Sequence, residues 1–497
     1  MNIREHYQDL VKHFVVYGSG QVLARIASFL LLPLYTSYLR PADYGVIAIL
    51  DFFSALIVVV ISSGMLAAVT RYHFAEKLAE MQRSVWWTGM MFIAIAASFL
   101  VGVGAVFGKD LAEIALGSTV KGREEFLYLT LATIWVGCLG HLPLTYFRVR
   151  KWSHIFVTFS IGRLLVNIAL NVYFLTVLEL GVQGVLMGNL LTGCINTFGV
   201  FIIFSGRIGT FSIKWDLGKR LWGFAGPLIF TGFLSAMMHQ TNLFFLRVFG
   251  ALDQVGLFSL AYTLGQGINS LMIIPFEMIW GVVIYEVAKE SYAKKIYVQV
   301  CEYFMYVVAL LLLGLALFAK PLLQVMVAPD YLSAYSLVPI ICLAFVFFSL
   351  HLHFRIPALL AKRTGAIIPV TVFALLVNIG ANLMLIPLWG TFGAAWASVL
   401  GFMAYSIGGL WWYRRIERYE YPFASLSLVC LGMIASYLIF WGFEQWVQRP
   451  VWVFSFGVLL WALWASGLLW RLFRAFGSLG GIEDKEKVAF GNSTKIN

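Results

Sequence analysis

Two arginines, Arg25 and Arg163, stand inside stretches that are otherwise apolar, and each has polar company at helical spacing. Gly18, Gln21, Arg25 and Ser28 share one face of a helix at 3.6 residues per turn, and Ser160, Arg163, Asn167 and Asn171 share one face of another. A charge at bilayer depth costs at least ~2.5–3.5 kcal/mol on insertion scales, so such groups normally face a wet cavity or a partner. A guanidinium in a wet cavity favours an anionic ligand, because its planar fork matches phosphate oxygens in a bidentate way.

Other polar stripes lean the same way with different chemistry. Thr231, Ser235, His239 and Asn242 fall on one helical face, Thr263, Gln266, Ser270 and Glu277 on a second, and Thr371, Asn378 and Asn382 on a third. The candidates for contact with a transported ligand are therefore Gln21, Arg25, Arg163, Asn167, Ser235, His239, Asn242 and Gln266. Candidates for ion coupling or gating are Asp51, Glu277 and His239, whose ordinary pKa near 6.5 suits proton coupling. Each has a plainer alternative. Asp51 pairs structurally with Arg25, Glu277 reaches the interface, and His239 packs. The asparagines act as interhelical glue worth ~0.6–2 kcal/mol per bond. His351, His353 and Arg355 are read as interfacial.

Bond-making chemistry has no visible constellation. The five cysteines fall in apolar spans with no CxxC or metal-ligand spacing, and there is no HExxH, P-loop or nucleophile with a nearby base. No catalytic site, metal or cofactor is expected, and an enzyme is not indicated.

Hydropathy supplies the elements that must position these residues. Of 497 residues 61% are hydrophobic and 12% charged, with a mean hydropathy of +0.86, against roughly 25% charged in a soluble domain. Stretches long enough to cross a bilayer predict an all-α membrane protein of fourteen helices. They run over 14–37, 44–70, 85–107, 126–147, 154–178, 184–206, 222–247, 255–284, 298–318, 335–358, 367–388, 392–412, 422–445 and 451–470. The basic residues alternate with that count, because 26 of 35 fall in every second connecting segment and seven in the others. The positive-inside rule then puts both termini in the cytoplasm. The net charge of +11 is mostly this orientation signal facing anionic lipid, and no nucleic acid is needed to explain it.

The chain is also written twice. Leu164-Leu165-Val166-Asn167-Ile168-Ala169-Leu170-Asn171 returns as Leu375-Leu376-Val377-Asn378-Ile379-Gly380-Ala381-Asn382, six identities in eight at an offset of 211. Asp43 and Asp253 (210), Gly181-x-x-Gly184 and Gly390-x-x-Gly393 (209), and Phe147-Arg148 and Phe354-Arg355 (207) keep the order. Six helices per copy make the repeats parallel, related by an axis along the membrane normal, a build used for alternating access to a central site. The expected division is a cytoplasmic start, 1–13, a first lobe, 14–206, a linker, 207–221, and a second lobe, 222–412. Two further helices follow over 422–470, then a disordered tail over 477–497. Shifted by the repeat, Gln21 lands on Thr231 and Arg25 on Ser235, so symmetry turns the polar faces toward one space.

The run Leu32-Pro33-Leu34-Tyr35-Thr36-Ser37-Tyr38-Leu39-Arg40-Pro41-Ala42-Asp43-Tyr44-Gly45, with Ser63-Gly64 and Arg71-Tyr72, resembles the N-terminal signature of bacterial polysaccharide flippases. Their superfamily also holds multidrug and toxic-compound exporters and lipid II flippases. Gly226-Pro227 and Asp253 to Gly256 look like the matching half. The resemblance implies a V-shaped pair of six-helix bundles in the bacterial inner membrane, opening alternately. It further implies transfer of an undecaprenyl-pyrophosphate-linked oligosaccharide to the periplasmic leaflet through a cationic lumen, beside a polysaccharide polymerase and glycosyltransferases. The last two helices would hold the lipid tail. The alternative within the same fold is a proton- or sodium-coupled multidrug exporter. The second lobe departs from the pattern, having no mid-depth Lys or Arg on its seventh, eighth or eleventh helix.

Overall fold

The computed structural model describes residues 31–447 and 449–493, with side chains as far as Arg471 apart from Val282 and Thr364. Gln21, Arg25 and most of the first predicted span lie outside the described residues, and residues 31–38 at its end are helical. Thirteen helices long and apolar enough to cross a membrane follow among the described residues, one for each remaining predicted span. They are α1 (Pro41–Ala75), α2 (Ala79–Val106), α4 (Arg123–Val149), α5 (Ser153–Val177), α6 (Gly181–Ile208), α7 (Trp215–Phe249) and α8 (Leu252–Val287). Then come α9 (Ala293–Met326), α10 (Pro329–Leu360), α11 (Ile367–Trp389), α12 (Thr391–Tyr413), α13 (Phe423–Trp446) and α14 (Pro450–Arg471). The connection after α2 folds as a short helix, α3 (Gly108–Leu116). Helix α14 continues to Ser493, where the Gly-rich composition predicts disorder.

Helix pairing repeats along with the sequence. In the first copy α4 packs on α6 and α2, and α5 on α6; in the second α10 packs on α12 and α9, and α11 on α12. The fold is two parallel six-helix repeats plus α13 and α14, which pack on α9. Local backbone features repeat too. Gly181 and Gly390 both have positive φ (55° and 56°) where the chain turns into α6 and α12, a conformation that favours glycine. Lys151 and Lys362, 211 residues apart, both adopt left-handed φ of 57° and 56° after α4 and α10. A π-helical turn interrupts α1 at Val59–Ser63 and α8 at Asn269–Ile273, 210 residues later.

The two repeats meet where α1 and α8 begin. A Cβ on Gly45 would lie 2.0 Å from the Leu252 carbonyl oxygen, and one on Gly256 would lie 2.0 Å from that of Pro41. Only glycine at both places lets the backbones cross so closely. The same charge-poor end is tied by the Tyr331 hydroxyl donating to the Leu39 carbonyl (3.0 Å) and Arg247 Nε donating to that of Ala115 (3.1 Å). Toward the basic end α1 runs along α7, with a Cβ on Gly64 placed 2.4 Å from the Ala225 carbonyl oxygen and Arg71 over the Phe224 ring at 4.3 Å.

Candidate translocation cavity

Exposure of a membrane helix has two causes, lipid and lumen, and helical phase separates them. On α5, Thr158, Leu165, Ala169 and Val172 are exposed and fall within about 60° of one another at 3.6 residues per turn, a lipid-facing stripe. Arg163 is also exposed, more than about 120° away from that stripe. It makes no hydrogen bond or ion pair among the described residues. Ten residues into α5, it sits ~15 Å from the basic end, near mid-bilayer. A charge at that depth normally faces a wet cavity or a partner.

Helix α4 points the same way. Tyr128 and Trp135 lie on its exposed apolar face, while half-buried His141 and exposed Arg148 share nearly the opposite one. Arg163 and Arg148 are the charges acting on the His141 imidazole, so His141 lies within the field of one arginine on α5 and one at the end of α4. His141 was missed in the sequence because it stands alone among apolar residues. The available signal was its seven-residue spacing from Arg148, two helical turns.

On α1, Asp51 is the one exposed residue between Gly45 and Leu66, in a helix otherwise buried or half-buried. Its charge reaches Tyr35 and Tyr44 near the sealed end. Asp51 thus stands toward the roof and Arg163 nearer the basic end. Its expected partner Arg25 lies outside the described residues.

In the second repeat Ser235 is exposed one turn below His239. His239 is half-buried, with Nδ1 3.2 Å from the Tyr262 hydroxyl and its ring 4.9 Å from Phe348. Gln266 is half-buried on α8. Asn242 is a correction to the sequence expectation: it is 2% exposed and spends its amide inside the lobe. Its Nδ2 donates to Ser398 Oγ (2.6 Å), and its Oδ1 accepts from Asn378 (3.2 Å) and Asn382 (2.7 Å). Asn167 is half-buried and donates to Asn189 (2.9 Å), one side of the same seam in the first repeat.

Glu277 does not share a lumen face with Gln266. The π turn between them advances the chain about one residue per turn more slowly, rotating the rest of α8 by roughly 90°. Glu277 therefore reaches α10 and pairs with Arg355. His351 and His353, expected at the interface, are 1% and 0% exposed. His351 stacks on Tyr405 with centroids 3.4 Å apart, and His353 lies among Phe276, Trp280 and Phe304. Aromatic neighbours from α8, α9 and α12 cover what the last turn of an isolated helix would expose.

Among the described residues no group of three or more His, Cys, Asp or Glu could hold a metal ion.

No protein-family model matches the chain. Protein 1 of the Lsg locus of Haemophilus influenzae is 24% identical over 254 residues, 49% of this chain and 55% of that protein, so the match spans about half the relative's length. Among solved structures, the lipid II flippase MurJ in an inward closed conformation superposes with a TM-score of 0.73 at 12% identity, covering 93% of this chain and all of that one. An inward-facing multidrug resistance MATE family transporter of the MOP superfamily gives 0.63 at 16% identity, covering 80% of this chain and 94% of that one. The chain has the fold shared by these membrane transporters.

Proposed function

We propose that this chain is a flippase that moves an undecaprenyl-pyrophosphate-linked oligosaccharide from the cytoplasmic to the periplasmic leaflet by alternating access. The observation that carries this is Arg163, exposed at mid-depth on the side of α5 away from its exposed apolar stripe, with His141 of α4 within reach of its charge. A diphosphate supplies the negative charge such a group lacks. The glycan rides in the polar space while the polyprenyl chain stays in the bilayer. No catalysis is required, only a ligand that stabilises passage between two states.

On this proposal the protein sits in the bacterial inner membrane with both termini in the cytoplasm, and the sealed end of α1 and α8 faces the periplasm. Glycosyltransferases supply the cargo and a polysaccharide polymerase consumes it. Supporting observations are the fold shared with a lipid II flippase and the crowding of basic residues at alternate connections. The second reading, a cation-coupled exporter of cationic drugs, is favoured by exposed Asp51.

Purified protein in liposomes carrying a fluorescent lipid-linked diphosphate oligosaccharide separates the two. Arg163→Ala is expected to slow transfer by at least ~10-fold, about 1.4 kcal/mol, with Arg163→Lys partly active. Unchanged transfer in Arg163→Ala would sink the proposal. Proton-driven efflux of a cationic dye, lost in Asp51→Asn, with no glycolipid movement would install the exporter instead.

A further inference from the structure

Away from the central space, a second site sits where α13 and α14 meet α9. Leu317, Phe318, Phe440, Val453 and Phe454 help wall a pocket of about 350 Å³. An ion pair crosses it: Lys320 Nζ donates to Glu444 Oε1 at 2.6 Å, with side chains 41% and 17% exposed. Lys320 also lies 5.4 Å from the centre of the Tyr335 ring. These residues belong to the last turns of α9 and α13 and the first of α14, the charge-poor end of the bundle and thus the outer leaflet by the positive-inside rule.

A charge pair among apolar side chains is costly to desolvate and repays little net stability, so its presence in this pocket calls for another explanation. The pair is chemically unspent. An ammonium carries three donors and a carboxylate about four acceptor sites, and this contact uses one of each. What remains is a phosphate-seeking donor beside an ammonium-seeking acceptor, opening onto lipid past Val451 and Phe454, 75% and 52% exposed.

We infer that this pocket binds the head group of a zwitterionic phospholipid bearing a primary ammonium, its phosphate on Lys320 and its ammonium on Glu444, with acyl chains over α14. A quaternary ammonium cannot donate to Glu444, and a glycerol head group leaves the carboxylate facing net negative charge. The occupant is a bulk membrane lipid.

Native mass spectrometry of the full chain in detergent tests this with phosphatidylethanolamine, phosphatidylcholine and phosphatidylglycerol offered in turn. The first should bind at least ~5-fold more tightly than the others, and Glu444→Gln should equalise the first two. Lys320→Gln/Glu444→Gln, which leaves no unpaired charge, should stay folded and bind all three alike. Equal binding of the three lipids by the parent protein, or full discrimination surviving in Glu444→Gln, would overturn the inference.

Discussion

The two repeats solve one packing problem with unequal chemistry. In the second, Asn242, Asn378, Asn382 and Ser398 close a buried network in which Asn242 joins three partners. In the first, half-buried Asn167 donates to Asn189, fully buried Asn171 donates to the Asn167 carbonyl at 2.8 Å, and Tyr35 donates to Asn171 Oδ1 at 3.1 Å, with no third amide at the centre among the described residues. The arginines differ the same way. Arg355 pairs with Glu277, while Arg163, which the repeat sets against Ala374 rather than Arg355, makes no ion pair among the described residues. On the proposed function, the second repeat serves as the frame and the first keeps a charge available for a ligand.

The largest effect expected on this comparison comes from the crossing that joins the repeats. Gly45→Leu or Gly256→Leu should hold α1 and α8 apart at the charge-poor end. In a cysteine-free background, a cysteine at position 51 should then react with a membrane-impermeant thiol reagent at least ~10-fold faster. An unchanged rate would mean the crossing does not close the space.

The asparagine seams come next. Asn378→Ala deprives buried Asn242 and Asn382 of partners and should cost about 2 kcal/mol in thermal unfolding, against about 0.6 kcal/mol for Asn167→Ala. Equal losses would erase the distinction between frame and ligand side. For the arginines, Arg355→Met should destabilise by exposing Glu277 to a partnerless site, and adding Glu277→Gln should restore stability. Arg163→Met should leave unfolding within ~0.5 kcal/mol of the parent. Gly181→Ala is expected to cost about 1 kcal/mol, for placing a Cβ at positive φ.

Much of this was legible beforehand. The described spans follow from runs of apolar residues, because a bilayer forces every backbone group into helix and leaves length as the variable. The doubling was visible in Asn167-x-x-x-Asn171 and Asn378-x-x-x-Asn382, and Gly181 and Gly390 betray themselves because their φ demands glycine. Lys151 and Lys362 adopt comparable φ with side chains that give no such hint. The π turns at Val59–Ser63 and Asn269–Ile273 have no residue signature either, so a helical wheel drawn through α8 puts Gln266 and Glu277 on one face and is wrong below the turn. Asn242 misled for a different reason: an amide on a polar stripe looks the same whether its partner is water or another helix.

Those paired wide turns also carry a date. An inserted residue at corresponding places in both copies is most simply inherited from a single gene, so it is older than the fusion that joined them. A lone six-helix ancestor would have had to associate with itself, and the Gly45–Gly256 crossing is then the remnant of a two-fold homodimer interface in which one glycine met its own twin.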